Sequence, residues 1–179
     1  MVYDIRSFIA ECQAIIKVDG GSNGREKVRM LLEKLLRDDE FIRKHCVDAP
    51  AGHHLLFEDS ELGFQVLVHM SSAPRVSPPH DHGASWAIYG QAIAHTDVTE
   101  WERTDDRLNP AHADLKSKRS YRLTPGHAGI YQDGIIHSVS YPAKSCFVRV
   151  TGTNLDNIPR AMFDLKTGAV TQMTPLRAG

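Results

Sequence analysis

The sequence predicts a mainly β protein, a sandwich or barrel of short strands fronted by two helices. Two observations carry this. Apolar residues recur at helical spacing up to about position 46, and beyond position 51 the pattern changes to short alternating runs separated by turn residues. A third bounds the domain count: a chain of 179 residues can bury a sizeable core, whereas the two helices alone cannot. One domain over 1–179 is expected, with 1–46 as a helical extension and 51–179 as the barrel.

The elements follow in order. Ile5, Phe8, Ile9, Cys12, Ile15 and Ile16 form one face of a first helix. After VDGGSNG, a second apolar face runs through Val28, Leu31, Leu32, Leu35, Leu36 and Phe41, and Asn23 with Glu26 reads as the capping box that opens it. The runs HLLFE, GFQVLVHM, SWAIYG, QAIAHTDV, SYRLT, AGIYQ, IIHSVSY and CFVRVTG read as strands. AMFDLKTGAVTQM reads as a hairpin turning at Lys166-Thr167-Gly168. Residues 105–118 read as a polar loop.

A net charge of −1 with interspersed signs offers no field for nucleic acid or anionic lipid. No apolar stretch is long enough to span a membrane, and the acidic residues Asp4 and Glu11 in the first helix argue against a signal peptide. Three widely spaced cysteines, Cys12, Cys46 and Cys146, suggest reduced thiols and a cytoplasmic location. A monomer or homodimer is expected.

Ten histidines direct attention to metals. In PPHDHGASWAIYG, His80 and His82 share one face of an extended segment and Asp81 points to the other. Two imidazoles need a third ligand to hold a divalent ion stably. YQDGIIHSVSY supplies one: Gly134 turns the chain and His137 opens a strand. On the residues alone, a solvated His80–His82 pair on a strand edge is the alternative.

These two segments resemble the metal-binding motifs of the cupin superfamily, G-x5-HxH-x3,4-E-x6-G and G-x5-PxG-x2-H-x3-N. His80, His82 and His137 match the three histidine ligands. Trp86 and Ala87 stand where the glutamate ligand falls, Pro74 replaces the leading glycine and Gln132 the proline. A cupin with three histidines and no glutamate resembles the cysteine dioxygenase group of thiol dioxygenases. The resemblance implies a double-stranded β-helix, a small jelly-roll barrel, with two helices packed outside. It also implies a non-haem Fe(II) dioxygenase-like enzyme. The departures are in the substrate pocket. The carboxylate-binding arginine of that group falls on His54, the cross-linking cysteine on Ala87, and the Ser-x-His-x-Tyr segment on Phe147, Arg149 and Thr151.

A three-histidine site leaves the full 2+ charge of its ion uncompensated and open positions beside it. It therefore favours a small anionic substrate, a thiol among them, with O2 as partner if the protein is an oxygenase. Fe(II) suits this chemistry. Zn, Ni or Mn would suit a metal-dependent isomerase or hydrolase, and a non-catalytic small-ligand-binding cupin is a further alternative. Four residues are candidates for substrate binding. Arg149 would hold a carboxylate if it faces inward, but faces outward if Val148 and Val150 form the core. His54 would orient substrate or cap a strand. Tyr89 would donate a hydrogen bond into the site or pack. Trp86 would form a pocket wall or core. Gln132 is a candidate outer support of the metal site, or serves the turn.

Overall fold

The computed structural model describes residues 3–174, so the outermost ends of the expected 1–179 span lie outside the described residues. Helix α1 (Ile5–Val18) is capped by Asp4, whose carboxylate accepts from the Ser7 N–H at 2.9 Å. Helix α2 (Ser22–Leu35) starts at N-cap Gly21 with no side-chain cap. The Asn23–Glu26 capping box does not form, because Asn23 already lies inside the first turn. Glu26 pairs instead with Arg29 at 2.8 Å. The apolar stripe expected to run on to Cys46 is broken after Leu36. Asp38 accepts from the Phe41 N–H at 2.6 Å and so opens a separate short helix, α3 (Asp39–Ile42), which continues into a π-helical turn, Arg43–Val47.

Among the described residues eleven strands follow: β1 (Gly52–Glu58), β2 (Gln65–Met70), β3 (Arg75–Val76), β4 (Ala87–Ile93), β5 (Thr96–Arg103), β6 (Leu115–Leu123), β7 (Ala128–Tyr131), β8 (Ile136–Tyr141), β9 (Cys146–Thr151), β10 (Arg160–Phe163) and β11 (Val170–Met173). A five-stranded sheet in the order β1-β2-β9-β4-β7 faces a four-stranded sheet in the order β3-β8-β5-β6, and β10-β11 form a hairpin. Neighbouring strands are antiparallel, as in β2–β9, β4–β9 and β5–β8. The result is the expected small jelly-roll barrel with helices packed outside.

Two strand boundaries differ from the sequence pattern. QAIAHTDV is not one strand: β4 ends at Ile93, Ala94 adopts φ 60°, and β5 begins at Thr96. Gln91 ties this corner, donating to Ile93 O at 2.7 Å and accepting from Thr96 Oγ1 at 2.7 Å. The polar loop is also shorter than 105–118, because β6 already begins at Leu115 and pairs with Arg103.

Register divides the larger sheet into two faces. Val66, Val68, Ile88, Val148 and Val150 pack with Phe8, Val28, Leu32 and Leu35 of the helices. The opposite face turns Ala87, Tyr89 and Phe147 into the barrel, where they meet Val98, Tyr131 and Val139. The helices therefore share a core with the outer face of the larger sheet, separate from the cluster inside the barrel. All three cysteines are buried and free, and among the described residues no helix is long and apolar enough to cross a membrane.

Candidate metal centre and its cavity

The HDH segment is not a regular strand, yet its backbone is fixed from both sides. His80 and His137 exchange two backbone hydrogen bonds, each of 2.9 Å, and Phe163 N–H donates to Pro79 O at 2.9 Å. The segment is thus clamped between β8 and β10. Asp81 points away from the cavity: its carboxylate accepts from the N–H of Gly83 at 3.0 Å and of Ala161 at 2.9 Å. On the other strand, Gly134 adopts φ 73° and turns the chain into β8, where His137 stands second.

These constraints bring His80, His82 and His137 together, with one candidate ligand nitrogen from each and all within 4.8 Å of one another. His137 is fully buried and His82 nearly so. Burial holds the pKa of each histidine below its ordinary value, and the charges of the neighbouring imidazoles push His82 and His137 further down. All three are therefore neutral near pH 7, the form that binds metal. The His80 Nδ1 lies 2.9 Å from Pro78 O, so an Nδ1–H donates there and Nε2 is left as a free lone pair. His82 Nδ1 and both nitrogens of His137 are buried without a partner. Orphaned buried nitrogens are costly, and a shared cation would satisfy one of them on each of His82 and His137. The residues present fit a divalent ion.

Tyr89 stands beside the triad, its hydroxyl oxygen 3.0 Å from His82 Nε2; with Nδ1 left as the lone pair for an ion, Nε2–H donates to that oxygen. Burial raises the phenol pKa, and the Arg149 charge opposes that rise. Glu100 is a buried carboxylate that pairs across the sheet with His137. It is committed elsewhere, accepting from Arg119 Nη2 at 2.6 Å and from the Tyr121 hydroxyl at 3.2 Å. The site remains an all-histidine one.

A cavity of about 210 Å³ opens from His80, lined by Tyr89, Arg149, Arg160, Arg75, His53 and His69 among others. A larger groove of about 720 Å³ beside Trp101 and Leu165 touches none of the three histidines. Arg149 and Tyr89 face inward, as cross-strand partners in β9 and β4. Three further candidates take the second of their two readings and not the substrate or metal role. His54 pairs with Val68 on the helix-facing side of β1 and β2, and its Nε2 lies 2.7 Å from Pro50 O; strand alternation sends His53, not His54, into the cavity. Trp86 belongs to the helix-facing core, 5.7 Å beneath the Arg25 guanidinium. Gln132 accepts from Arg25 Nη1 at 2.8 Å and anchors the turn to α2 rather than supporting a ligand histidine.

None of His53, His69, Arg75 and Arg160 was singled out from the sequence as a cavity residue. His69 stacks between His53 and Phe147, with ring centroids at 4.0 Å and 4.7 Å. Its pKa is pushed down to about 2, chiefly by burial and then by Arg149. The alternation of Leu67 and His69 opposite Arg149 and Phe147 was the available signal.

No protein-family model matches the chain, and no curated protein matches its sequence. Solved structures are similar to it in fold. The cupin domain of Cnp3 from Schizosaccharomyces pombe aligns with a TM-score of 0.45 at 12% identity, over 61% of this chain and 67% of that one. KdgF from a Halomonas species aligns at 0.42 and 15%, over 55% and 76%. A cupin superfamily protein from Desulfitobacterium hafniense aligns at 0.43 and 11%, over 60% and 84%. At such scores the likenesses carry no argument about activity; the barrel stands on the strand order and register above.

Proposed function

We propose that the chain is a mononuclear metal-dependent enzyme of cupin type, a non-haem Fe(II) dioxygenase-like protein acting on a small anionic substrate. The observation that carries this reading is the convergence of three neutral imidazoles, two of them with unpaired buried nitrogens, beside an arginine-lined cavity that His80 enters. Iron(II) held there would supply a centre at which an anionic substrate and O2 meet, both oxygen atoms entering the product.

The chain's own residues have distinct tasks. His80, His82 and His137 hold the ion without neutralising it. Arg149 binds the substrate's anionic group, and its fork suits a carboxylate. Tyr89 holds its phenolic proton beside His82, where it can be offered to a bound substrate. Phe147, Val139 and Met162 give the cavity apolar walls that limit water. Ala87 and Thr151 exclude a Cys–Tyr cross-link, and Phe147 with Arg149 replaces the Ser and His of the thiol dioxygenase relay. Cysteine is therefore a poor substrate on this reading.

The test is oxygen uptake by Fe(II)-loaded protein against cysteine, 3-mercaptopropionate, other small thiols, diketones and catechols. Uptake with a non-cysteine compound, lost in His137→Ala, is expected. No uptake across the panel, with zinc or nickel bound natively, would overturn the oxygenase reading in favour of an isomerase, a hydrolase or a ligand-binding cupin.

A further inference from the structure

The cavity beside the triad carries more positive charge than one carboxylate needs. Arg75, Arg149 and Arg160 all line it, and among the described residues no aspartate or glutamate does. Arg75 and Arg149 take part in no ion pair among the described residues. Arg160 has only Asp156, at 3.5 Å and itself 62% exposed. The Nε atoms of both Arg149 and Arg160 are sealed from solvent without a hydrogen-bond partner. A sealed, unpaired guanidinium N–H is costly unless a ligand completes it. Two such groups, on β9 and β10, face one space of about 210 Å³, the volume of roughly seven waters.

We propose that this cavity binds a small dianion with two separated carboxylate-type groups, one held by Arg149 and the other by Arg160, with Arg75 adding charge at the exposed mouth. The inference deepens the proposed function and rests on it for the identity of the reacting group, but not for binding itself. A guanidinium pairs a carboxylate through two parallel N–H bonds. A monoanion would leave one of the two forks empty. A dianion completes both and fits the apolar span that Phe147, Val139 and Met162 provide between charged ends. Mass and length are limited by the cavity, which favours a short chain of about three to five carbons over anything drug-sized.

The experiment is calorimetric titration of metal-free and zinc-loaded protein with malonate, succinate and glutarate against butyrate, with inorganic phosphate as a separate arm. Succinate and butyrate match in length and differ by one charge. At least one dicarboxylate is expected to bind about tenfold or more tighter than butyrate, the step expected for one added charge-assisted bond. The preference should shrink as salt rises. Arg160→Gln should remove most of it while changing butyrate affinity little, and Arg160→Lys should retain part. Thermal unfolding of each variant checks that the fold is kept. Equal affinity for butyrate and every dicarboxylate, or an unchanged preference in both Arg160 variants, would overturn the inference. So would phosphate binding tighter than every dicarboxylate, since that marks a single doubly charged head group. The dicarboxylate preference without metal binding by the wild type would sink the metal centre and leave this site standing. Stoichiometric metal with no preference would do the reverse.

Discussion

Gly83 follows His82 directly and sits at φ 59°, in the left-handed region. A Cβ there would lie 2.2 Å from the Pro159 carbonyl oxygen, a backbone atom that cannot rotate aside. The left-handed conformation alone costs an alanine ~1–2 kcal/mol. Relieving the overlap adds ~1–3 kcal/mol. Gly83→Ala should therefore lose ~2–5 kcal/mol in all. The relief must move either the His82 turn or the entry to β10, which clamps His80, so zinc affinity should fall with stability. Gly134 is the control. It precedes His137 at φ 73°, but a Cβ there would meet nothing within 4 Å. Gly134→Ala should cost only the conformational ~1–2 kcal/mol. Urea unfolding reads both, at unchanged m-value. Equal losses in the two variants, or wild-type stability and metal binding in Gly83→Ala, would refute the clamp.

Three further outcomes are expected. The pKa of His69 is pushed down to about 2 in the folded state, against an ordinary value of about 6.5. The unfolded chain therefore binds the extra proton first. Stability is fully present above about pH 6.5 and falls as pH drops toward 2, by at most ~1.4 kcal/mol per pH unit from this residue. In metal-free protein, His69→Leu should flatten the dependence of the urea midpoint on pH by up to that slope; an unchanged slope would count against it. Asp81→Ala leaves the Gly83 and Ala161 N–H groups unpaired, so it should cost ~1–3 kcal/mol, with Asp81→Asn costing less; chemical denaturation measures both. Arg149→Gln should raise KM for the true substrate by the equivalent of ~1.5–3 kcal/mol, with a smaller change in kcat. Steady-state kinetics showing KM unmoved would remove Arg149 from the site.

The strands and helices were legible because their periods differ, and the triad because HxH and GxxH place imidazoles at fixed points of a turn and a strand. Facing was harder to read. In FVRVT both faces are buried: Val148 and Val150 lie under the helices, while Phe147 and Thr151 face the barrel. The usual contrast of apolar-in and polar-out is lost, so Arg149 could be placed on either side. The same covering by α1 and α2 hid the facing of Trp86. In β1 a register shift between Leu55 and Phe57 blurs the alternation that separates His53 from His54. Arg160 and Arg75 belong to no motif; the fold alone carries them to the cavity. The unformed capping box has a local cause, since the tight corner at Gly20-Gly21 starts α2 before Asn23 can cap it.

The proposed function depends on His80, His82 and His137 forming one metal centre. Elemental analysis of protein purified without a histidine tag, joined to X-ray absorption at the edge of the bound metal, tests it most directly. The expected result is one divalent ion per chain with three imidazole nitrogens at roughly 2.0–2.2 Å, reduced to trace levels when His80, His82 or His137 is changed to alanine. Wild-type protein that takes up no ion, or an alanine variant that keeps its full complement, would contradict it.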